Sequence, residues 1–316
     1  MPGAPERSGL QASEGQIETL TRVCADDLVE AFGLCRTHTA SNRPDGGHHC
    51  TGPRRLATRA AEPLCRIPAR RLARQVAAYD EIVGKEGLAA GGSWAVELLS
   101  RSLRVRGAPN IPSDGPVLIV SNHPGLADSL SLFAALPRRD LRVVAAERAL
   151  LQALPNTSRY LIPVGDRPGE RPATLGSLRA ASRHLRQGGT LLTFPGGTIE
   201  PDPAIMNGVH ASLEGWRRSL EIFIRVVPEA TVIPAIVSGV ISPTALSNPL
   251  IRLRRRTEDR RWLAASLQML VPALRNVHTE VRFGDPIRVD ASRRASGATD
   301  EVLGEARRLI GEVRSG

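Results

Sequence analysis

The stretch Val117-Leu118-Ile119-Val120-Ser121 runs without a break into Asn122-His123-Pro124-Gly125-Leu126-Ala127-Asp128. Its first five residues form a short, mostly β-branched apolar run, the pattern of a strand covered on both faces. Pro124-Gly125 then turns the chain, and a helical pattern follows over Ala127–Leu136. A buried strand leading through a tight turn into a helix is the repeating unit of α/β proteins.

The same alternation continues outward. Leu141–Ala146, Leu161–Gly165, Thr190–Phe194, Thr231–Val237 and Thr279–Phe283 read as strands. Ala173–Arg186, His210–Ile224, Asp259–Leu274 and Asp300–Val313 read as helices. The expected fold is α/β and layered, with a largely parallel sheet flanked by helices, over residues 70–316. Before it, helical patterns at Arg70–Val83 and Ser93–Leu103 flank a Gly-rich break at Gly84–Gly92. Residues 1–69 hold all four cysteines, the stretch Ser41–Ala69 is rich in Pro, Gly and Arg, and beyond a short helix at Ile17–Leu34 there is no apolar period. A low-order tail is expected there, dispensable to a chain that starts near Arg70.

Composition narrows the function. The chain has 316 residues, 41% hydrophobic and 23% charged, as in ordinary globular proteins. Aromatics at 3% are too few for base-stacking platforms, and no nucleic-acid motif accompanies the +10 net charge, so no nucleic-acid partner is expected. Every basic residue but Lys85 is arginine, and six of them crowd Ile251–Arg261. Such a run suits a phosphate or an anionic membrane surface, or simply a solvated helix face. No cysteine pair has C-x-x-C spacing, so neither a zinc ribbon nor a thioredoxin-type site is suggested, and the spacing of His48, His49 and Cys50 fits no known ligand set, so no metal is expected. The uncharged window Ala230–Ile251 contains three prolines and reads as a buried strand plus loop rather than a membrane span. No signal peptide pattern opens the chain, which suggests a cytoplasmic protein. Neither G-x-G-x-x-G, nor a Walker A loop, nor G-x-S-x-G occurs.

What remains is at strand ends, where α/β sheets place their sites. His123 and Asp128 form an H-x4-D pair. A carboxylate on one ring nitrogen fixes the tautomer, and the other nitrogen can then take a proton from a hydroxyl. Taken alone, the same residues also fit an aspartate that caps its helix. Thr193-Phe194-Pro195-Gly196-Gly197-Thr198-Ile199-Glu200 is a strand ending in a Gly-rich turn whose N–H groups suit an anion. Arg167 follows the strand Leu161–Gly165, and Val232–Gly239 is a further apolar strand with an embedded proline.

In order and spacing, these four segments resemble the four blocks of the glycerolipid acyltransferase superfamily, which includes lysophosphatidate and glycerol-3-phosphate acyltransferases. Asn122, His123 and Asp128 match the first block, Arg167 the second, Phe194, Pro195, Gly197 and Thr198 the third, and Ile233, Pro234 and Ala235 the fourth. The resemblance spans about Leu103 to Pro286. It implies His123 as general base, Asp128 as its orienting partner, and Arg167 with Gly196, Gly197 and Thr198 as the acceptor site. It also implies an acyl-CoA or acyl carrier protein donor, a lysolipid acceptor, no cofactor, and peripheral association with an anionic membrane. The third block usually carries glutamate where this chain has Gly196, and arginine or serine where it has Ile199. Glycine leaves the Gly196 and Gly197 N–H groups free and makes room for a different or bulkier acceptor head. Glu200 and Asp202 lie just downstream. The alternative is a lipid-binding protein that keeps the fold with little or no catalysis. The His123–Asp128 pair argues against it, because proton transfer needs both residues and lipid binding needs neither.

Overall fold

The computed structural model describes residues 12–32, 54–165, 171–289 and 295–315. Among these, one eight-stranded sheet is the centre. Its strands are β1 (Ser102–Arg106), β2 (Val117–Ser121), β3 (Leu141–Ala146), β4 (Leu161–Val164), β5 (Thr190–Thr193), β6 (Thr231–Ser238), β7 (His278–Phe283) and β8 (Ile287–Arg288). The order is β1-β7-β6-β2-β5-β3-β4, with β8 also beside β6. The run β6-β2-β5-β3-β4 is parallel throughout. Strands β7 and β8 meet β6 antiparallel, and β1 lies parallel to β7.

The alternation along β2 explains the two-sided core. Val117 and Ile119 join one apolar cluster with Leu132, Ile233 and Leu263. Leu118 and Val120 point the other way, among Leu185, Leu191, Trp216, Val232 and Val302. All four are essentially inaccessible, so each aliphatic side chain contributes about 1.5–3 kcal/mol of burial. Helices α3 (Leu88–Leu99), α4 (Asp128–Ala135) and α11 (Thr257–Leu270) cover the first face. Helices α7 (Arg171–Arg186), α9 (Arg217–Val226) and α12 (Ala295–Ser315) cover the second. Shorter helices sit in the connections: α5 (Ala149–Gln152), α6 (Pro155–Ser158), α8 (Val209–Ser212) and α10 (Pro243–Leu246).

The N-terminal region departs from expectation. Helices α1 (Glu14–Ala31) and α2 (Arg54–Glu86) are both packed elements, and the boundary set at Arg70 falls inside α2. Leu20, Cys24 and Leu28 of α1 are buried with Cys65, Ala69, Ala73 and Ala77 of α2. These positions recur every four residues on each helix, so one stripe faces the other. The stripe is hard to read in sequence because five of these seven residues are alanine or cysteine rather than large aliphatic residues. Residues 33–53 lie outside the described residues, as do His48, His49 and Cys50.

The Gly-rich break is also shorter than expected. Only Gly87, at φ +90°, separates α2 from α3, and Gly91 and Gly92 are helical. A Cβ on Gly92 would lie 2.7 Å from the backbone of Leu130 and Ala134, so glycine here permits close approach of α3 to α4.

Candidate active site

The carboxyl ends of β2, β5 and β6 are neighbours in the sheet, and the loops leaving them are stitched together. Asn122, buried, donates from Nδ2 to the Val237 carbonyl at 2.8 Å and accepts from the Val237 N–H at 2.7 Å. The amide thereby stands in for a peptide unit just as β2 ends. The His123 N–H donates to Glu200 Oε2 at 3.0 Å, and the Glu200 N–H donates to the His123 carbonyl at 2.8 Å. Asp202, fully buried, accepts from the N–H groups of Gly239, Val240 and Ile241 at 2.9, 2.8 and 3.1 Å. One aspartate thus satisfies the turn that follows β6, where Gly239 has φ +67°.

Within this frame the H-x4-D pair closes. His123 Nδ1 lies 2.8 Å from Asp128 Oδ2. The same oxygen accepts from the Gly125 N–H at 2.9 Å, so the Pro-Gly turn folds the chain back as required. Asp128 Oδ1 accepts from the Ser129 N–H at 2.5 Å. The carboxylate therefore partners the imidazole and also accepts from the next N–H of α4, whose N-cap, Ala127, makes no side-chain cap. Asp128 is inaccessible, while the His123 side chain keeps 28% exposure. With Nδ1–H given to the carboxylate, Nε2 holds the free lone pair of the ring.

The electrostatics raise the basicity of the ring. Burial pushes the His123 pKa down, but the Asp128 and Glu200 carboxylates push it up by more, and Arg148 opposes them weakly. The net displacement is upward. Phe194, the first residue past β5, lies against the imidazole, with ring centroids 4.7 Å apart.

The third-block loop follows at the adjacent strand end. Gly197 has φ +66°, a conformation open to glycine, and its N–H donates to the Phe194 carbonyl at 3.1 Å. That corrects the expectation of two free N–H groups, because the turn uses the Gly197 N–H internally. Gly197 and Thr198 are exposed beside the imidazole loop, and Gly196 is half-buried. Arg167 lies outside the described residues. No group of three metal-ligating side chains occurs among the described residues.

Two participants were missed or left unplaced by sequence reasoning. Arg148, just past β3, is close enough to act on His123, and its guanidinium carbon lies 5.6 Å from the centre of the Trp262 ring. Nothing local marks it, since its Trp262 partner is on α11. Glu200 was noted as nearby, but only the fold reveals its bonds to His123 and to the Trp216 indole, which donates to Oε1 at 2.9 Å.

Residues 102–238, from the start of β1 to the end of β6, match the Acyltransferase family. This segment is similar to acyltransferase domains. It contains all four blocks and every stitched residue except Gly239, Val240 and Ile241. A solved structure, 1-acyl-sn-glycerophosphate (LPA) acyltransferase PlsC from Thermotoga maritima, is similar at 19% identity. That similarity covers 78% of this chain and 84% of that one with a TM-score of 0.40, too low to assign any residue a role. No curated protein sequence matches the chain.

Proposed function

We propose that this domain moves a fatty acyl group from acyl-CoA or acyl carrier protein to the hydroxyl of a lysophospholipid or related acceptor. The observation that carries the proposal is the 2.8 Å contact between His123 Nδ1 and a buried Asp128, beside an imidazole still open to solvent. As the acceptor oxygen attacks the thioester carbonyl, Nε2 takes the hydroxyl proton and Asp128 stabilises the resulting imidazolium. Collapse of the tetrahedral adduct leaves a new C–O ester bond and breaks the C–S bond. The departing thiolate receives the proton from the imidazolium. No protein nucleophile is required.

Gly196, Gly197 and Thr198 would line the acceptor side of the imidazole, as the resemblance implies. Arg167 and Arg148, past the ends of β4 and β3, would supply positive charge to an anionic head. Membrane contact is assigned to the turn before α11. There Leu250 and Leu253 are exposed beside Arg252, Arg255 and Arg256, next to a cleft of about 580 Å³ lined by Met206, Leu246, Ile251, Arg260 and Arg261. Exposed leucines ringed by arginine suit the interface of an anionic bilayer. No helix among the described residues is long and apolar enough to cross a membrane.

The test is mass-spectrometric detection of diacyl product from purified protein, with acyl-CoA or acyl carrier protein and a panel of lysolipids. Product is expected, and His123→Ala should reduce its rate by about a hundredfold to ten-thousandfold. An inert wild type that still binds lipid would favour the non-catalytic reading.

A further inference from the structure

The geometry around Gly196 points to a displaced carboxylate: we infer that Glu200 is the positioning residue of the His123 loop, occupying the space a side chain at position 196 would need. A Cβ built on Gly196 would lie 3.0 Å from Glu200 Cδ and 3.2 Å from both carboxylate oxygens. A side chain at position 196 is therefore crowded unless the Glu200 carboxylate shifts. Glu200 holds the peptides on both sides of His123, accepting from its N–H and donating to its carbonyl. Its second oxygen is anchored by the indole of the fully buried Trp216. Glycine at 196 and glutamate at 200 are two halves of one solution, and the carboxylate reaches the histidine loop from downstream.

The arrangement carries a cost that packing alone does not explain. Glu200 is almost wholly buried, and burial raises its carboxyl pKa despite the donors around it. A buried carboxylate is a poor device for stability, since apolar groups of similar size do as well. Beside an imidazole that must accept a proton, its negative charge has a use. The charged groups acting on His123 are Asp128 from α4, Glu200 from the β5 exit and Arg148 from the β3 exit. Removing the Glu200 charge leaves one carboxylate opposed by one arginine, so the ring should become less basic.

This inference rests on His123 as the base, and the experiment separates the two. The imidazole titration of His123 is followed by NMR in the wild type and in Glu200→Gln, which keeps the side chain's size and one acceptor oxygen. The inference expects a lower His123 pKa in the variant, whether or not the protein turns over. An unchanged titration overturns it. Acyl transfer is then measured for Glu200→Ala, Gly196→Glu and the double variant Gly196→Glu/Glu200→Ala. Each single variant should lose tenfold or more in kcat, Glu200→Ala by releasing the loop with little change in acceptor KM and Gly196→Glu by collision. The double variant should recover much of the loss, because the new carboxylate enters the vacated space. A double variant no better than either single one would overturn the complementarity. An inactive wild type whose histidine still responds to Glu200→Gln would count against the acyl-transfer proposal alone.

Discussion

The carboxyl edge of the sheet and the helical layer formed by α1 and α2 are built on opposite principles. At the sheet edge, chemistry-bearing side chains protrude from strands that are already secured by burial on both faces. Asp128 can therefore be spent on an imidazole, and His123 can stay partly exposed. The layer of α1 and α2 carries no such groups in its contact stripe, where Leu20, Cys24 and Leu28 meet Ala69, Ala73 and Ala77. It reaches the site indirectly. Leu154 and the partly buried Leu150, Ala153 and Leu270 pack on the same cluster, so the layer braces the segment after Arg148 and the end of α11. Buried Asp80 of α2 also accepts from the N–H groups of Asn156 and Thr157 at 3.2 and 2.8 Å, capping α6. On the proposed function, one region performs the reaction and the other holds its surroundings still.

Substitutions can separate these roles. The largest effect is expected for Asp128→Asn, which keeps the shape but presents the wrong partner to Nδ1–H. Its kcat should fall by roughly a hundredfold or more, with Tm moving little beside that loss; a kcat near wild type would remove Asp128 from the mechanism. Next is Leu20→Ala in the layer, where an inaccessible leucine should cost about 2–5 kcal/mol of stability. Thermal unfolding should report that loss while kcat per folded molecule holds. An unshifted Tm would mean α1 is not docked, and removal of residues 1–69 would then be harmless after all.

A third effect touches neither region. Replacing Arg252, Arg255 and Arg256 together with alanine should weaken binding to anionic vesicles by about a hundredfold at low salt, at about 1 kcal/mol per arginine. Binding of the wild type should itself weaken as salt rises, and equal binding to neutral vesicles would count against the assignment. Smallest is Arg148→Ala, expected to raise the KM of an anionic acceptor about two- to fivefold, the worth of an exposed ion pair. An unchanged KM with anionic acceptors would free Arg148 from that role.

The contrast between the regions also explains what could be read from sequence. Strands such as Val117–Ser121 and Thr231–Ser238 are continuous apolar runs, so their burial is written in consecutive residues. His123 and Asp128 sit five positions apart in one loop, and their pairing needs only a Pro-Gly turn. The contact stripe of the helical layer is spelled in alanine and cysteine, which composition does not distinguish from a loose tail. Glu200 and Arg148 were illegible for another reason. Their meaning lies in residues that other strands bring to them, Trp216 and His123 in one case and Trp262 in the other. Arg167 matched its block by spacing, and nothing beyond that spacing locates it.

The pH dependence of kcat/KM for acyl transfer tests the central claim most directly. A base held by Asp128 and pushed upward by two carboxylates must lose its proton before it can act. Activity should therefore fall on the acid side of a pKa above the usual imidazole value of about 6.5. In Asp128→Asn the residual activity should show that limb at lower pH, because the principal negative charge on the ring is gone. A profile without an acid limb between about pH 5 and 8, or a limb that stays put in Asp128→Asn, would contradict His123 as the base.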